Sequence, residues 1–229
     1  MAIINWSGRE WLTNERWGFI HPEKSDWWYD ATAVEVDYYD QIHLKTHIHG
    51  RWFPELSKIS EVGAGLITSV ENFTYGTFTI EAKLPQGKNL WPAFWISPRY
   101  VWPPEIDIME AYSNKRGSYF KFGKSFWHVE TNIWTGKVNN IPKNLGSERP
   151  FYTFKNPSKH FFKYSVTWTP DLVEIFYNGK SVRKCTDKTA LDALNKVDSL
   201  HVIINNGITK LGEKNTTDFV VRYFDYKPL

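Results

Sequence analysis

Hydrophobic and polar residues alternate over short runs along most of this 229-residue chain. Glycine, proline, asparagine and aspartate interrupt the runs, and the chain has no internal repeat or low-complexity linker. Alternation with a period of two is typical of half-buried strands, and frequent turn residues favour an all-β sandwich. The pattern predicts strands at 33–38, 41–49, 65–71, 75–84, 92–97, 105–111, 126–134, 161–168, 172–177, 200–205 and 218–226.

Two local signals refine this prediction. Asn178 and Gly179 separate the strand 172–177 from a short run at 181–183, and both residue types tolerate the positive φ angles of a tight hairpin turn. Residues 189–197 differ from the rest because their apolar positions follow the helical period. We therefore expect one short helix there, with an apolar face made of Ala190, Leu191, Leu194 and Val197.

Three histidines lie in the predicted strand 41–49. His43, His47 and His49 have the same parity and would share one face, as the ligands of a metal site would. Lys45 shares that face, however, and apolar residues occupy the other face, which is typical of an ordinary half-exposed strand. We favour the ordinary strand and predict no metal ligands.

The run EIDIME places acids at Glu105, Asp107 and Glu110. On a regular strand Glu105 and Asp107 would share one face and Glu110 would point to the other. A β-bulge in which Ile108 and Met109 together oppose one residue of the neighbouring strand would return Glu110 to the face of the other two acids. We predict this bulge.

Three acids on one face suggest chemistry rather than structure. In a chain with 25 acids among 229 residues, this spacing arises about 0.3 times by chance, so the context has to decide. Adjacent carboxylates repel, shift each other's pKa and are concentrated at functional sites. Retaining glycoside hydrolysis needs two carboxyl groups about 5 to 5.5 Å apart. Asp107, between the other two acids, would share a proton and help to hold Glu110 protonated.

Aromatic residues make up 17% of the chain, including 12 tryptophans, which is more than a sandwich core readily uses. Trp91 and Trp95 share one face of a predicted strand, where indoles would stack on sugar rings, although two core tryptophans would give the same pattern. His128 and Glu130 share parity on the strand 126–134. His128 is either a structural histidine or part of a sugar-binding cleft.

Composition excludes several classes of protein. The net charge of +3 is too balanced for a nucleic-acid partner, and Cys185, being the only cysteine, allows neither an intrachain disulfide nor a thiolate metal site. The first residues do not resemble a signal peptide, and no apolar run reaches transmembrane length. Either the protein is intracellular or a leader has been removed. We expect a monomer with one domain over residues 1–229.

Several segments resemble glycoside hydrolase family 16. The resemblance is strongest in YGTFTIEAKLPQGKNLWPAFWISP and WPPEIDIMEAY, and it continues in HFFKYSVTWTPDLVEIFYNGKSVRK, HVIINNG and FVVRYFDYKP. It covers most of the chain after about Gly65. The resemblance implies a concanavalin A-like β-jelly roll sandwich of two curved antiparallel sheets, with the substrate cleft on the concave face.

The resemblance also implies roles for individual residues. Glu105 would be the nucleophile, Asp107 its assisting acid and Glu110 the general acid/base of a retaining double displacement. The bulged six-residue motif is the form found in β-1,3-glucanases, agarases, porphyranases and carrageenases. Three further residues match cleft positions of the family, namely Trp91, Trp95 and His128.

We therefore expect an endo-acting retaining hydrolase of a β-linked polysaccharide, either a β-1,3-type glucan or a red-algal galactan. Two alternatives stay open: a non-catalytic lectin-like sandwich, which has no reason to keep all three acids, and a transglycosylase with the same nucleophile. The family implies a secreted, periplasmic or cell-surface location. No cofactor is required. The family's structural calcium would fall near Asp218 or Arg222, and we do not predict it.

Overall fold

A computed structural model describes residues 2–15, 18–21, 24–87, 89–112, 128–138, 141–150, 155–209, 211 and 218–229. Within these ranges the backbone forms nineteen strands, one α-helix and two short 3-10 helices. The strands are β1 (Ile3–Trp6), β2 (Arg9–Leu12), β3 (Ile20–His21), β4 (Lys24–Tyr29), β5 (Val34–Val36), β6 (Ile42–Leu44), β7 (Thr46–Phe53), β8 (Lys58–Ala64), β9 (Leu66–Ser69), β10 (Gly76–Lys83), β11 (Leu90–Ser97), β12 (Glu105–Tyr112), β13 (His128–Val138), β14 (Ile141–Asn144), β15 (Phe162–Thr169), β16 (Leu172–Tyr177), β17 (Lys180–Cys185), β18 (His201–Ile208) and β19 (Phe219–Pro228). The helix α1 spans Lys188–Asn195, and the 3-10 helices span Ala31–Ala33 and Pro54–Leu56.

The strands form three sheets. An eight-stranded sheet has the order β1-β2-β9-β18-β11-β12-β13-β14, and a seven-stranded sheet has the order β17-β16-β15-β10-β19-β6-β5. Neighbouring strands in both are antiparallel. The third sheet, in the order β3-β4-β8-β7, includes a parallel pair between β4 and β8. The resemblance did not imply this third sheet.

The main core lies between the two large sheets. Residues of β10 alternate between buried and half-buried, so that Phe78, Ile80 and Ala82 point inward, as the period of two predicts. From the opposite sheet, Ile106 and Ile133 join the same apolar cluster. One face of the eight-stranded sheet is therefore buried, and its other face is left for the groove described below.

The predicted hairpin and helix are confirmed. Asn178 and Gly179 have φ angles of 51° and 78°, and they connect β16 to β17. The helix α1 begins after Asp187, whose carboxylate accepts a hydrogen bond from the amide of Ala190. Ala190, Leu191 and Leu194 are buried, as predicted, whereas Val197 follows the end of α1 and is half-buried against the core.

The prediction of one strand over 41–49 is wrong. At Lys45 the chain passes from the seven-stranded sheet to the third sheet, and the Lys45 amide and carbonyl bond to Ala33 and Gly65 instead of continuing a ladder. His43 consequently lies in β6, while His47 and His49 lie in β7. The three histidines therefore do not share one strand face.

None of the described helices is long and apolar enough to cross a membrane.

Candidate active site

The predicted bulge is present in β12. On the neighbouring strand β13, Asn132 and Glu130 lie opposite Asp107 and Glu110. One residue separates the pair on β13, whereas two residues separate the pair on β12. The extra residue turns Glu110 onto the face that carries Glu105 and Asp107.

The opposite sheet stabilises this bulge. On the other side of β12, β11 pairs with Asp107 and Met109 but places no residue opposite Ile108. The side chains of Ile108 and Met109 both pack in the main core. The carbonyl of Ile108 accepts a 2.9 Å hydrogen bond from the buried hydroxyl of Tyr177 in β16. A polar group that the irregular ladder exposes is thus satisfied inside the core.

The three acids line one groove. This groove has a volume of about 560 Å³ and lies on the outer face of the eight-stranded sheet, with Glu105, Asp107 and Glu110 among its lining residues. The prediction that the three acids share a face is therefore confirmed. Aromatic side chains form much of the remaining lining, and these are Trp27, Tyr29, Trp91, Trp95, Trp102, Tyr112 and Trp134.

Glu110 is held by two aromatic donors. The indole N–H of Trp91 and the hydroxyl of Tyr112 each donate a 3.0 Å hydrogen bond to Oε1 of Glu110. The two rings stack with their centroids 5.7 Å apart. Both bonds orient the carboxyl group, and donors of this kind favour its ionised form.

Glu105 and Asp107 form a hydrogen-bonded carboxyl pair. Burial raises the pKa of Asp107 well above its usual range, and the charges of Glu110 and Glu105 raise it further. The hydrogen bond with Glu105 also raises this pKa, and a bond from Trp134 opposes it. The raised pKa favours the protonated form of Asp107, which can share its proton with Glu105. The indole N–H of Trp102 donates a 3.0 Å hydrogen bond to Oε2 of Glu105.

Trp91 and Trp95 both line the groove, as their shared parity predicted. The indole N–H of Trp95 donates to Oδ1 of Asn205 at 2.9 Å, which fixes the ring at the groove wall. The backbone of His128 begins β13 and pairs with Tyr112, but its side chain lies outside the described residues. The role of His128 stays a prediction.

Several groove residues escaped the sequence analysis. Tyr112 and Trp134 carried a usable signal, because Tyr112 has the parity of Glu110 and Trp134 has the parity of Glu130. Trp102 lies in a proline-rich loop whose path strand periodicity does not predict. Trp27 and Tyr29 come from the third sheet, in the part of the chain where the resemblance is weakest.

A fourth acid lies close to the triad. Glu130 lines the groove with only 5% of its surface exposed, and the guanidinium of Arg149 donates to its Oε2 at 3.2 Å. This ion pair offsets the Glu130 charge beside three other carboxyl groups.

The two candidate positions for a structural calcium have protein partners. The carboxylate of Asp218 lies 3.0 Å from Nδ1 of His43, and Arg222 pairs with Glu81 at 3.2 Å. A guanidinium cannot bind a cation, so Arg222 does not fit that role. The expectation that no metal is required stays a prediction.

Comparison with known proteins identifies the family. The model of "Glycosyl hydrolases family 16" matches residues 23–220. The chain belongs to glycoside hydrolase family 16. It is therefore a member of a family of glycosidases, as the motifs around the triad indicated.

Two curated relatives are named as an endo-acting glucosidase and an endo-acting glycanase. Glucan endo-1,3-beta-glucosidase A1 of Niallia circulans is 24% identical over 195 residues, which make up 80% of this chain and 27% of that protein. Endo-1,3-1,4-beta-glycanase ExsH of Rhizobium meliloti is 42% identical over 145 residues, or 62% of this chain and 27% of that protein. This chain thus spans about a quarter of the length of these relatives.

The fold is the β-jelly roll of family 16. A solved structure from work on endo-acting O-glycanases, with which human gut bacteria initiate mucin breakdown, superposes with a TM-score of 0.75. The two sequences are 18% identical, and the superposition covers 99% of this chain and 86% of the other. At this identity the likeness concerns the fold alone.

Proposed function

We propose that this protein is an endo-acting retaining glycoside hydrolase that cleaves a β-1,3-type glucan by double displacement. The observation that carries the proposal is the bulge in β12, which places Glu105, Asp107 and Glu110 on one groove floor with aromatic walls. A groove lined by indole and phenol rings suits the apolar faces of sugar rings. The acids supply the two carboxyl functions of a retaining reaction.

In the first step a carboxylate oxygen of Glu105 attacks the anomeric carbon. The glycosidic bond breaks, and Glu110 gives its proton to the departing oxygen. The product of this step is a glycosyl ester on Glu105. Asp107 is a positioning residue here, because its proton bridges to Glu105 and orients the attacking carboxyl group.

In the second step Glu110, now ionised, takes a proton from a water molecule. The water oxygen attacks the anomeric carbon, and the ester bond to Glu105 breaks to restore both carboxyl groups. Trp91 and Tyr112 donate to the same oxygen of Glu110, so they stabilise the ionised form that exists between the two steps.

The glucan assignment draws on the curated relatives. The name of one relative refers to a 1,3-linked glucan, and the name of the other refers to 1,3-1,4-beta linkages. Laminarin is therefore the first substrate to test, followed by a mixed-linkage glucan. A red-algal galactan and mucin O-glycans complete the panel, since the triad determines the chemistry but not the sugar.

A reducing-end assay on this panel tests the proposal. We expect laminarin to be cut into oligosaccharides, and we expect Glu105→Gln to lose this activity while it keeps its fold. Cleavage of the galactan alone would change the proposed substrate from a glucan to a galactan. If no polysaccharide is cut and Glu105→Gln behaves as the wild type does, the proposed hydrolase activity is refuted and a lectin-like sandwich is favoured. Longer products than the starting chains would identify a transglycosylase.

Proton NMR during early turnover tests the stereochemistry. A retaining enzyme releases the β anomer first, and the α anomer then grows in by mutarotation. Initial α product would exclude the covalent intermediate on Glu105.

We further infer that the protein acts outside the cytoplasm. A polymeric glucan does not cross a membrane, so the enzyme has to meet it on the outer side. Fractionation of the native host tests this inference, and recovery of all activity from the cytoplasm would refute it.

A further inference from the structure

Three metal-ligating side chains converge in the third sheet, away from the acids of the groove. They are Asp30, His47 and His49, and their ligand atoms all lie within 4.8 Å of one another. Oδ2 of Asp30 lies 2.9 Å from Nε2 of His47 and 2.5 Å from Nδ1 of His49. Both imidazoles thus point at the same carboxylate oxygen.

The central strand of the sheet makes room for this cluster at Gly63. Strand β8 lies between β4 and β7, and Gly63 has Trp28 on one side and His47 on the other. A Cβ atom on Gly63 would lie 2.4 Å from Oδ2 of Asp30 and 2.9 Å from Nε2 of His47. Because glycine has no side chain, Asp30 and His47 meet directly above the strand that separates them.

The backbone around His49 is also held in place. The pairing of β7 with β8 shifts between Ile48 and Arg51, which places His49 at an irregular point of the strand. The indole N–H of Trp28 donates to the carbonyl of His49 at 2.8 Å, and the two rings pack at 5.4 Å. These contacts with Trp28 therefore fix the point at which the imidazole of His49 projects from β7.

The carboxylate of Asp30 is held in place. Its side chain is only 3% exposed, and both of its oxygens have hydrogen-bond partners. The amide and hydroxyl of Thr32 both donate to Oδ1, at 2.9 and 2.8 Å. Thr32 thereby orients the carboxylate with Oδ2 toward the imidazoles, as outer-shell partners do in metal sites.

We propose that Asp30, His47 and His49 bind one Zn²⁺ ion, with water as the fourth ligand. Two imidazole nitrogens and one carboxylate oxygen are ligands that Zn²⁺ accepts in tetrahedral geometry. The side chains of His47 and His49 are 36% and 50% exposed, so an ion reaches the cluster from solvent. Ligands of a tetrahedral Zn²⁺ stand roughly 3.4 Å apart, so the imidazoles need to move only slightly from their hydrogen-bonded positions.

An ion at this site would connect strands on both sides of β8. Asp30 follows β4 directly, and the groove residues Trp27 and Tyr29 belong to that strand. Because the ion binds only the folded chain, Zn²⁺ at about 100 times its Kd should raise the Tm by roughly 5 to 10 °C. The inference does not depend on the proposed hydrolase activity.

Calorimetric titration with ZnCl₂ tests the site on the tag-free full chain after treatment with a chelator. We expect one ion per chain, and Co²⁺ should give the visible absorption of a four-coordinate complex. Removal of an outer-shell partner lowers metal affinity about 10- to 100-fold, and His49→Ala should lower the affinity for Zn²⁺ by more than this. Thr32→Val removes the hydroxyl of such a partner and should lower the affinity for Zn²⁺ about 10-fold.

His43→Ala is the matched control, because His43 also contacts two carboxylates, those of Asp37 and Asp218. It should bind Zn²⁺ as the wild type does. The Tm in the presence of chelator shows whether each variant folds, and His49→Gln replaces His49→Ala if the latter does not. Absence of binding by the wild type would overturn the proposal, as would equal affinity of the folded His49 and His43 variants. The cluster would then be a hydrogen-bonded network without a metal.

Discussion

Asp107 is enclosed between two other carboxyl groups on the groove floor, with 5% of its surface exposed. Burial and the neighbouring charges keep its proton bound at a pH where an ordinary aspartate has lost it. The folded state therefore binds a proton that the unfolded chain releases. This makes Asp107 a source of pH-dependent instability as well as a partner of Glu105.

Asp107→Asn should stabilise the protein increasingly as the pH rises. The pKa of Asp107 in the folded state lies above the ordinary value of 3.8, so its contribution to stability is complete below about pH 3.8 and is lost as the pH rises through the folded pKa. Asparagine does not ionise and escapes this loss. The Tm of the variant minus that of the wild type should grow by roughly 3 to 5 °C for each pH unit within this window.

Melting curves from pH 4 to pH 8 measure this difference. Asp192→Asn is the control, because Asp192 is exposed on α1 and its difference in Tm should stay nearly constant. A difference for Asp107→Asn that is equally constant would show that Asp107 is ionised in the folded protein. Asparagine also keeps a donor for Glu105, so it should retain more activity than Asp107→Ala.

Tyr112→Phe should move the alkaline limb of the kcat/KM profile to higher pH by about one to two units. The Tyr112 hydroxyl donates to Glu110, and a hydrogen bond to a charged group contributes about 1.5 to 3 kcal/mol. Its removal favours the protonated form of Glu110, which the first step of hydrolysis needs. Tyr75→Phe loses a hydroxyl that bonds to Asn195 outside the groove, and its profile should not move. An unchanged profile for Tyr112→Phe would show that the Tyr112 hydroxyl does not influence the protonation of Glu110.

At the scale of elements, the bulge in β12 is one inserted residue between correctly paired flanks. Removing Met109 would place Ile108 opposite Phe94 and leave the pairings of Asp107 and Glu110 with β13 unchanged. The three acids would then follow the plain alternation of a strand and still share one face. The bulge is therefore a device for spacing the acids as well as for directing them.

Deletion of Met109 should give a folded enzyme with about 100-fold lower kcat/KM. The loss of one buried side chain lowers stability by about 2 to 5 kcal/mol, and a displaced acid costs rate. Deletion of Ile106 is the control, because it would shift Glu105 into the core position that Ile106 occupies. That variant should be as inactive as Glu105→Gln. Equal activity of the two deletions in reducing-end assays would refute this account.

Elements could be predicted from the sequence where local chemistry decides them. The Asn178-Gly179 turn and α1 follow from backbone preference and helical period, and the bulge follows from an acid that breaks the alternation. The break at Lys45 has no such local signal, because the alternation continues across it. Hydrogen bonds to Ala33 and Gly65, both distant in sequence or on other elements, create it.

At the scale of the molecule, the two large sheets could be expected from the family resemblance, but the third sheet could not. Its strands lie in the part of the chain that resembles the family only loosely, and β4 and β8 pair in parallel across a long sequence separation. The groove residues Trp27 and Tyr29 and the proposed metal ligand Asp30 were missed for this reason. The parts of the site on β11 and β12 could be predicted because their periodicity is local.

The third sheet contacts the groove where Trp27 packs over Gly207 of β18. A Cβ atom on Gly207 would lie 2.7 Å from the indole of Trp27, so Gly207→Ala should displace this ring from the groove wall. Loss of one stacking contact with the sugar should raise KM about 10-fold and leave kcat within about threefold, because the triad does not move. Gly136→Ala is the control, since its Cβ would meet no atom within 4 Å. Steady-state kinetics on laminarin decide the matter: an unchanged KM in a Gly207→Ala protein with lowered Tm would show that Trp27 supports the fold without binding the glucan.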